Sequence, residues 1–251
     1  MLTLGNNLQP QYEFIGQEQT PIIIIDDYLS EPQKLINLAQ SADESDALSD
    51  ENHAQNHAQN QGEFKPDELT QYPGLRMPLP KQCVVDYLKP LIQGFYNVFN
   101  IGQTLTPYPK DNTLSLITKT EQQLSPIQTL PHFDTNDPNL IAIIHYLGEG
   151  AHGGTGFFRH KKTGFETIST KRKNTYLTHA QHILECSNTK PSYCTPQHSE
   201  FECYKHIEYK PNRLIVFPGY LLHTSLLNTA TDISPCPQTG RLTANMFVHF
   251  K

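Results

Sequence analysis

The sequence lacks any apolar run of about 18 residues, so no helix that spans a membrane is expected. It also lacks a surplus of positive charge. Lys and Arg number 19 against 25 Asp and Glu, a formal net charge of -6, which argues against the basic footprint of a nucleic-acid-binding protein. Cysteine is scarce: Cys83, Cys186, Cys194, Cys203 and Cys236 are odd in number and show no framework spacing. Reduced thiols in a cytoplasmic protein are therefore expected. The opening MLTLGNNLQPQYEF has neither a basic stretch nor a long apolar core, so no secretory leader is expected. No long internal repeat and no clear second domain are visible. With 251 residues, and 19 prolines against 14 glycines favouring many turns, we expect one domain over residues 1–251.

What is there begins with TPIIIIDDYLSEPQKLINLAQ (20–40). Four consecutive isoleucines predict a strand buried on both faces. Ser30 has the form of an N-cap, with Pro32 in the first turn and Gln33 completing a capping box, so a helix is predicted over 31–40. Leu35, Leu38 and Ala39 share one face of it. From 41 to 66 the chain turns polar and contains the direct repeat NHAQNHAQ (52–59), which predicts a mobile loop. Its His53 and His57 are four apart and would clip a metal only if helical; solvated low-complexity chain is the plainer reading. A second helix is predicted over 81–99, where Val84, Leu88, Leu91, Phe95 and Phe99 recur at spacings of three and four, with Pro90 as a site for a kink.

After about Asn112 the pattern changes to short β segments: TLSLITK, SPIQTLPHFD, NLIAIIHYL, TGFFRH, NRLIVFPG, LLHTSLLN and RLTANMFVHF. Short strands punctuated by Gly, Pro, Asn and Asp predict a sandwich or barrel. The expected fold is mainly β, with the helices 31–40 and 81–99 packed against one sheet. One helical stretch interrupts the strands at 171–186, with Tyr176, Ala180, Ile183 and Leu184 in period. It belongs to an insert over 168–206 that is far longer than a hairpin connection needs. A lid over a site and a helix packed outside a sheet are both open readings of it.

Three stretches carry chemistry. LPHFDTNDP (130–138) places His132 and Asp134 two apart, side by side on one face if the chain is extended. NRLIVFPGYLLHTS (212–225) runs a buried strand through Pro218-Gly219 into His223. A lone histidine on an apolar strand is more often a satisfied core residue than a ligand. Together, however, His132, Asp134 and His223 have the composition of a two-His-one-carboxylate set, which suits Fe(II) held on one side. GRLTANMFVHF (240–250) alternates Arg241, Thr243 and Asn245 against Leu242, Ala244 and Met246. An arginine facing inward needs an anion, because burying an unpaired guanidinium is costly. An internal salt bridge or an exposed edge strand would meet that need as well as a ligand.

His132-x-Asp134, His223 and Arg241, in that order, resemble the Fe(II)/2-oxoglutarate-dependent dioxygenases. The IIHYL strand after the His-x-Asp, the GGTGFFRH turn and strand, and PNRLIVFPG before the distal histidine are most similar to the prolyl-hydroxylase branch. YPGLRMPLP (72–80) with IIIIDDYLSEP is similar, more narrowly, to an uncharacterised bacterial domain family of that superfamily. The resemblance implies a double-stranded β-helix (jelly-roll, cupin-like) core over 112–251. It implies His132, Asp134 and His223 as iron ligands. Arg241, Thr243 and Tyr146 would hold the distal carboxylate of 2-oxoglutarate. It further implies hydroxylation of a small molecule or peptide, since related halogenases lack the carboxylate found here as Asp134. Tyr72, Arg76, Asn136 and Asn245 are the candidate substrate contacts. The chain departs from the family in the longer spacing from His223 to Arg241, where NTATDISPCPQTG is read as an enlarged hairpin loop.

Two rival readings stand beside this one. His179, His182, Cys186, Cys194, His198, Cys203 and His206 crowd into one stretch and would form a structural zinc site, although no C-x₂-C pair is present. A non-catalytic β-helix that binds a metal or ligand is the other, because fold does not imply activity.

Overall fold

The computed structural model describes residues 1–47, 62–67, 70–186 and 190–251. The repeat at 52–59, with His53 and His57, lies outside the described residues.

The chain opens with a hairpin of β1 (Gln11–Ile15) and β2 (Thr20–Ile25). The four isoleucines of β2 are buried on both sides: Ile22 and Ile24 enter one apolar cluster, Ile23 and Ile25 another. Helix α1 (Gln33–Ala47) starts later than expected and runs on into the stretch read as a mobile loop. Ser30 does not cap it. Its hydroxyl donates to the Thr3 carbonyl at 3.2 Å, and its amide donates to the same oxygen at 3.0 Å. The helix begins only at Gln33, which leaves Ser30 outside the capping position. Two short strands follow, β3 (Lys65–Pro66) and β4 (Gly74–Pro78), so the loop reading also fails at its far end.

The helix expected over 81–99 is two helices, α2 (Lys81–Leu88) and α3 (Ile92–Val98). Pro90 separates them because it has no amide hydrogen and its ring clashes with the preceding turn. Strand β5 (Pro107–Ile117) comes next. The segment 125–134, read as a strand, is not one: a 3-10 turn occupies Pro126–Thr129. Gln128 Oε1 accepts from the Ser125 amide at 2.8 Å, and Pro126 and Pro131 remove donors that a sheet ladder would need. The rest of the chain forms β6 (Leu140–Tyr146), β7 (Thr155–His160), α4 (Thr170–Cys186), β8 (Phe201–Ile207), β9 (Leu214–Pro218), β10 (His223–Ser225) and β11 (Thr243–Phe250).

These strands make two antiparallel sheets. The larger has the order β1-β2-β9-β6-β11-β5-β4-β3, and the smaller β10-β7-β8. One face of the large sheet, through Leu114, Ile141, Ile143, Val216, Ala244 and Met246, packs on Leu35 and Ala39 of α1 and on Val84, Tyr87 and Phe95 of α2 and α3. The helices thus cover one sheet face, as the periodicity predicts. The other face, through Ile22, Ala142, Tyr146 and Phe217, packs on Phe157 and Ile207 of the small sheet. The molecule is mainly β, two sheets face to face with helices on one outer side. No helix among the described residues is long and apolar enough to cross a membrane.

Candidate metal centre and its cavity

Backbone pairing builds the centre. His132 and His223 form an isolated antiparallel bridge, each amide donating to the other's carbonyl at 2.9 and 2.8 Å. The Pro218-Gly219 turn supplies the third support. The Gly219 carbonyl accepts from the amides of Asp134 at 2.7 Å and Thr135 at 3.2 Å, while the Gly219 amide donates to Leu140 at 2.9 Å. A Cβ at Gly219 would lie 2.7 Å from Leu140 Cδ2 and at ordinary contact distance, 3.4 Å, from Asp134 Cβ, so a larger residue there would make the Leu140 side chain shift.

The side chains converge. His132 Nε2 is 3.8 Å from Asp134 Oδ1, and His223 Nε2 is 3.9 Å from Asp134 Oδ2. The two imidazole centroids are 4.4 Å apart. One ligand atom from each residue lies within 4.8 Å of the others, and no other such group of three occurs among the described residues. His223 Nδ1 sits 2.9 Å from the Leu221 carbonyl, which assigns the proton to Nδ1 and leaves the Nε2 lone pair facing the cluster.

Desolvation pushes His223 down to about 4, opposed by that hydrogen bond. Desolvation, with His223 beside it, takes His132 to about 4 as well. The His132 side chain is nevertheless 54% exposed; its open edge faces the cavity described next, while protein crowds its other sides. Burial raises Asp134 to about 6 against the pull of His132 and Arg76. Two neutral imidazoles and a carboxylate near its ionisation point form a donor set suited to a divalent cation.

The cluster opens into a cavity of about 520 Å³, also lined by Tyr72, Arg76, Arg241 and Asn245 and by apolar groups such as Ile144 and Phe217. Arg241 precedes β11 and is 2% exposed. The alternation read from the sequence holds here, since Leu242, Ala244 and Met246 point to the helices. Arg241 Nε donates to the Gly153 carbonyl at 2.7 Å, and Nη2 lies 3.4 Å from that of Gly154. Its guanidinium lies over the Tyr146 ring, 5.4 Å from the centroid. Among the described residues no carboxylate pairs with it, so neither an internal salt bridge nor an exposed edge accounts for Arg241. Two hydroxyls, Tyr72 OH and Thr243 Oγ1, are buried close to one another and to Ser115, but none of these contacts has the geometry of a full hydrogen bond. Burial raises the Tyr72 pKa, while Arg241 and Arg76 oppose the rise. Tyr146 spends its hydroxyl on Thr155 Oγ1 at 2.7 Å and meets Arg241 with its ring.

The long connection from His223 to Arg241 contains an anchor that the sequence reading missed. Asp232, fully buried, accepts from the amides of Gly153 at 2.8 Å and Asn228 at 2.9 Å, from His152 Nδ1 at 2.9 Å and from Thr231 Oγ1 at 3.0 Å. It therefore fixes the residue whose carbonyl fixes Arg241. The only hint in the sequence was an aspartate in a loop of unusual length. Of the expected substrate contacts, Tyr72, Arg76 and Asn245 line the cavity; Asn136 does not, and its amide donates to Thr170 Oγ1 at 2.9 Å.

The insert reaches the site from outside. Tyr176 of α4 donates to the Pro131 carbonyl at 3.0 Å and meets the Phe133 ring edge-on, so the helix braces the segment that carries His132. Tyr193, in the tail behind α4, lines the cavity. The seven His and Cys residues of 179–206 do not gather into a metal site. They are spread over α4, the following loop and β8, and the contact of Cys186 with His182 at 3.5 Å involves no third ligand.

No curated protein matches the chain. A family model matches residues 45–248, and by that match the chain belongs to DUF6445, a family of unknown function.

Proposed function

We propose that the protein is an Fe(II)- and 2-oxoglutarate-dependent oxygenase that hydroxylates a small-molecule or peptide substrate. One observation carries this reading: a two-His-one-carboxylate cluster and an unpaired buried arginine open into the same cavity. The two facing antiparallel sheets support it, as the double-stranded β-helix of such enzymes has that arrangement.

The residues fit both groups. His132, Asp134 and His223 would hold the metal, with neutral nitrogens and a carboxylate already facing one another. Arg241 would pair with the distal carboxylate of the keto acid, and the buried hydroxyls of Tyr72 and Thr243 would add hydrogen bonds to the same group. Bound iron supplies the oxygen chemistry, coupling decarboxylation of the keto acid to oxidation of a substrate C–H bond. The chain's own part is positional. The Tyr146 ring supports the guanidinium, and the apolar wall of Ile144 and Phe217 keeps water from the far side of the cavity.

The test is oxygen-dependent succinate release from the Fe(II) protein supplied with 2-oxoglutarate, alongside calorimetric binding of both. Release above the metal-free background is expected. Binding without release would make the protein a ligand-binding module, and failure to bind either would refute the reading.

A further inference from the structure

A second arginine faces the cavity, and one edge of its guanidinium is unused. Arg76 lies on β4 directly opposite Ser115 of β5, and Ser115 lies opposite Thr243 of β11. Directly opposed residues share a sheet face, so Arg76, Ser115 and Thr243 stand in one row on the cavity side. Asp67 Oδ2 accepts from Arg76 Nη1 at 2.7 Å, and Thr70 Oγ1 lies 3.1 Å from the same nitrogen. The Tyr72 ring covers the guanidinium, 5.0 Å from centroid to Cζ. These contacts hold the group in place by one nitrogen and one face. Nε is buried without a partner, and no described protein group bonds Nη2.

Nε and Nη2 form the side-on fork that takes a carboxylate through two parallel hydrogen bonds. Asp67 does not occupy it. Its oxygens are engaged by the Thr70 amide and hydroxyl as well as by Nη1, which makes it the group that orients the arginine. Arg76 lines the same cavity as His132, Asp134 and His223, so an anion on this fork would share that cavity with the metal cluster. Ile127, Leu130 and Phe133 give the same cavity an apolar wall.

Building on the oxygenase reading, we infer that the substrate is a small organic acid with an apolar body. Its carboxylate docks on the Nε–Nη2 edge of Arg76, and its body rests on Ile127, Leu130 and Phe133. The cavity thus has two carboxylate receptors, Arg241 for the co-substrate and Arg76 for the substrate.

Phenylpropionate and its near-isosteric amide, phenylpropionamide, test this because the amide lacks the charge and replaces one acceptor oxygen with a donor NH2. Calorimetry on the full chain, metal-free and again with Mn(II) and saturating 2-oxoglutarate, should show the acid binding at least tenfold more tightly than the amide in both states. Arg76→Gln should bring the acid to the amide's level, and Arg76→Lys should recover only part of the preference. In the Mn(II) protein, the acid's protons should show enhanced paramagnetic relaxation, which places the probe beside the metal. Equal binding of acid and amide to the unmodified chain overturns the inference whatever the variants do. Displacement of the acid by added 2-oxoglutarate overturns it too, because both would then share Arg241. Mn(II) and 2-oxoglutarate affinities, measured separately, report on the oxygenase reading itself. If they fail while the metal-free acid preference stands, the receptor survives and the reaction assignment falls.

Discussion

His132 and His223 are held to each other by their backbones, amide to carbonyl in both directions at 2.9 and 2.8 Å, while their imidazole centroids stand 4.4 Å apart. The backbones of the two candidate ligands therefore keep their separation even if a side chain rotates. Asp134 is tied to the same frame through the Gly219 carbonyl.

The frame predicts that ligand loss and unfolding separate. Asp134→Ala leaves the 2.7 Å backbone bond to Gly219 intact but removes the cluster's carboxylate. Loss of even an outer-shell partner typically weakens metal affinity about 10–100-fold, so Mn(II) affinity should fall by at least about tenfold with an unchanged circular dichroism spectrum. Titration followed by electron paramagnetic resonance checks it. Unaltered affinity would remove Asp134 from the ligand set.

Arg241 makes its protein contacts through Nε and Nη2, to the carbonyls of Gly153 and Gly154. Removing one partner of a buried charged pair costs about 2–5 kcal/mol. Arg241→Ala should thus weaken 2-oxoglutarate by more than about tenfold, leaving Mn(II) binding unchanged. Calorimetry on the Mn(II) protein decides it, and normal keto-acid affinity in the variant would exclude Arg241 as the receptor.

The parts legible in sequence were those set by strict periodicity or by strong local punctuation. Period two over Arg241–Met246 separates the cavity side from the helix side, and four isoleucines mark β2 as buried on both faces. The His-x-Asp and the histidine after Pro-Gly were visible as a candidate ligand set, and the fold brings the three side chains together. Interactions outside the apolar pattern, some from distant chain and some local, hid the rest. Ser30 has the sequence of a helix cap, yet the helix begins at Gln33 and the Ser30 hydroxyl is turned to the Thr3 carbonyl. SPIQTLPHFD reads as a strand by its apolar content, but Pro126 and Pro131 and the Gln128–Ser125 bond favour a turn. Tyr72 joins Arg241 and Thr243 only because β4 pairs with β5 and β5 with β11. Local pattern does not encode that pairing.

Asp232 gives a prediction at a distance. It does not line the cavity, yet it holds Gly153, whose carbonyl holds Arg241. Asp232→Ala leaves two amides, His152 and Thr231 without their buried acceptor, a loss of about 2–4 kcal/mol. For a chain of this length that corresponds to a fall in Tm of roughly 5–10 °C. Below the new Tm the variant should still bind Mn(II) but bind 2-oxoglutarate more weakly, since Arg241 loses its fixed support. Wild-type keto-acid affinity in a destabilised variant would limit Asp232 to a stabilising role.

The acid limb of stability should depend on His145, on the helix side of β6. The imidazole is fully buried between Tyr87 and Asn212: Tyr87 OH is 2.5 Å from Nδ1, and Nε2 is 3.0 Å from Asn212 Oδ1. The neutral ring satisfies both, accepting from the tyrosine and donating to the amide oxygen. A charged ring would force Nδ1–H against the Tyr87 hydroxyl, whose proton would then need another acceptor. Desolvation lowers the pKa to about 4 from the ordinary 6.5, against the opposing effect of Asn212. The folded state therefore binds fewer protons than the unfolded state between those values. Stability from this residue is complete above about pH 6.5 and is lost as pH falls toward 4. The full shift corresponds to about 3 kcal/mol. Urea unfolding of metal-free protein at pH 7.5 and at pH 4.5 should show a marked drop in stability between the two. His132, His223, His160 and His198 shift in the same direction, while Asp134, raised to about 6, opposes them, so His145 is one of several contributors to the drop. His145→Gln keeps an amide for Tyr87 and Asn212 but cannot titrate, so its drop should be smaller than the wild type's. An identical drop in both proteins would show that His145 does not carry the acid sensitivity.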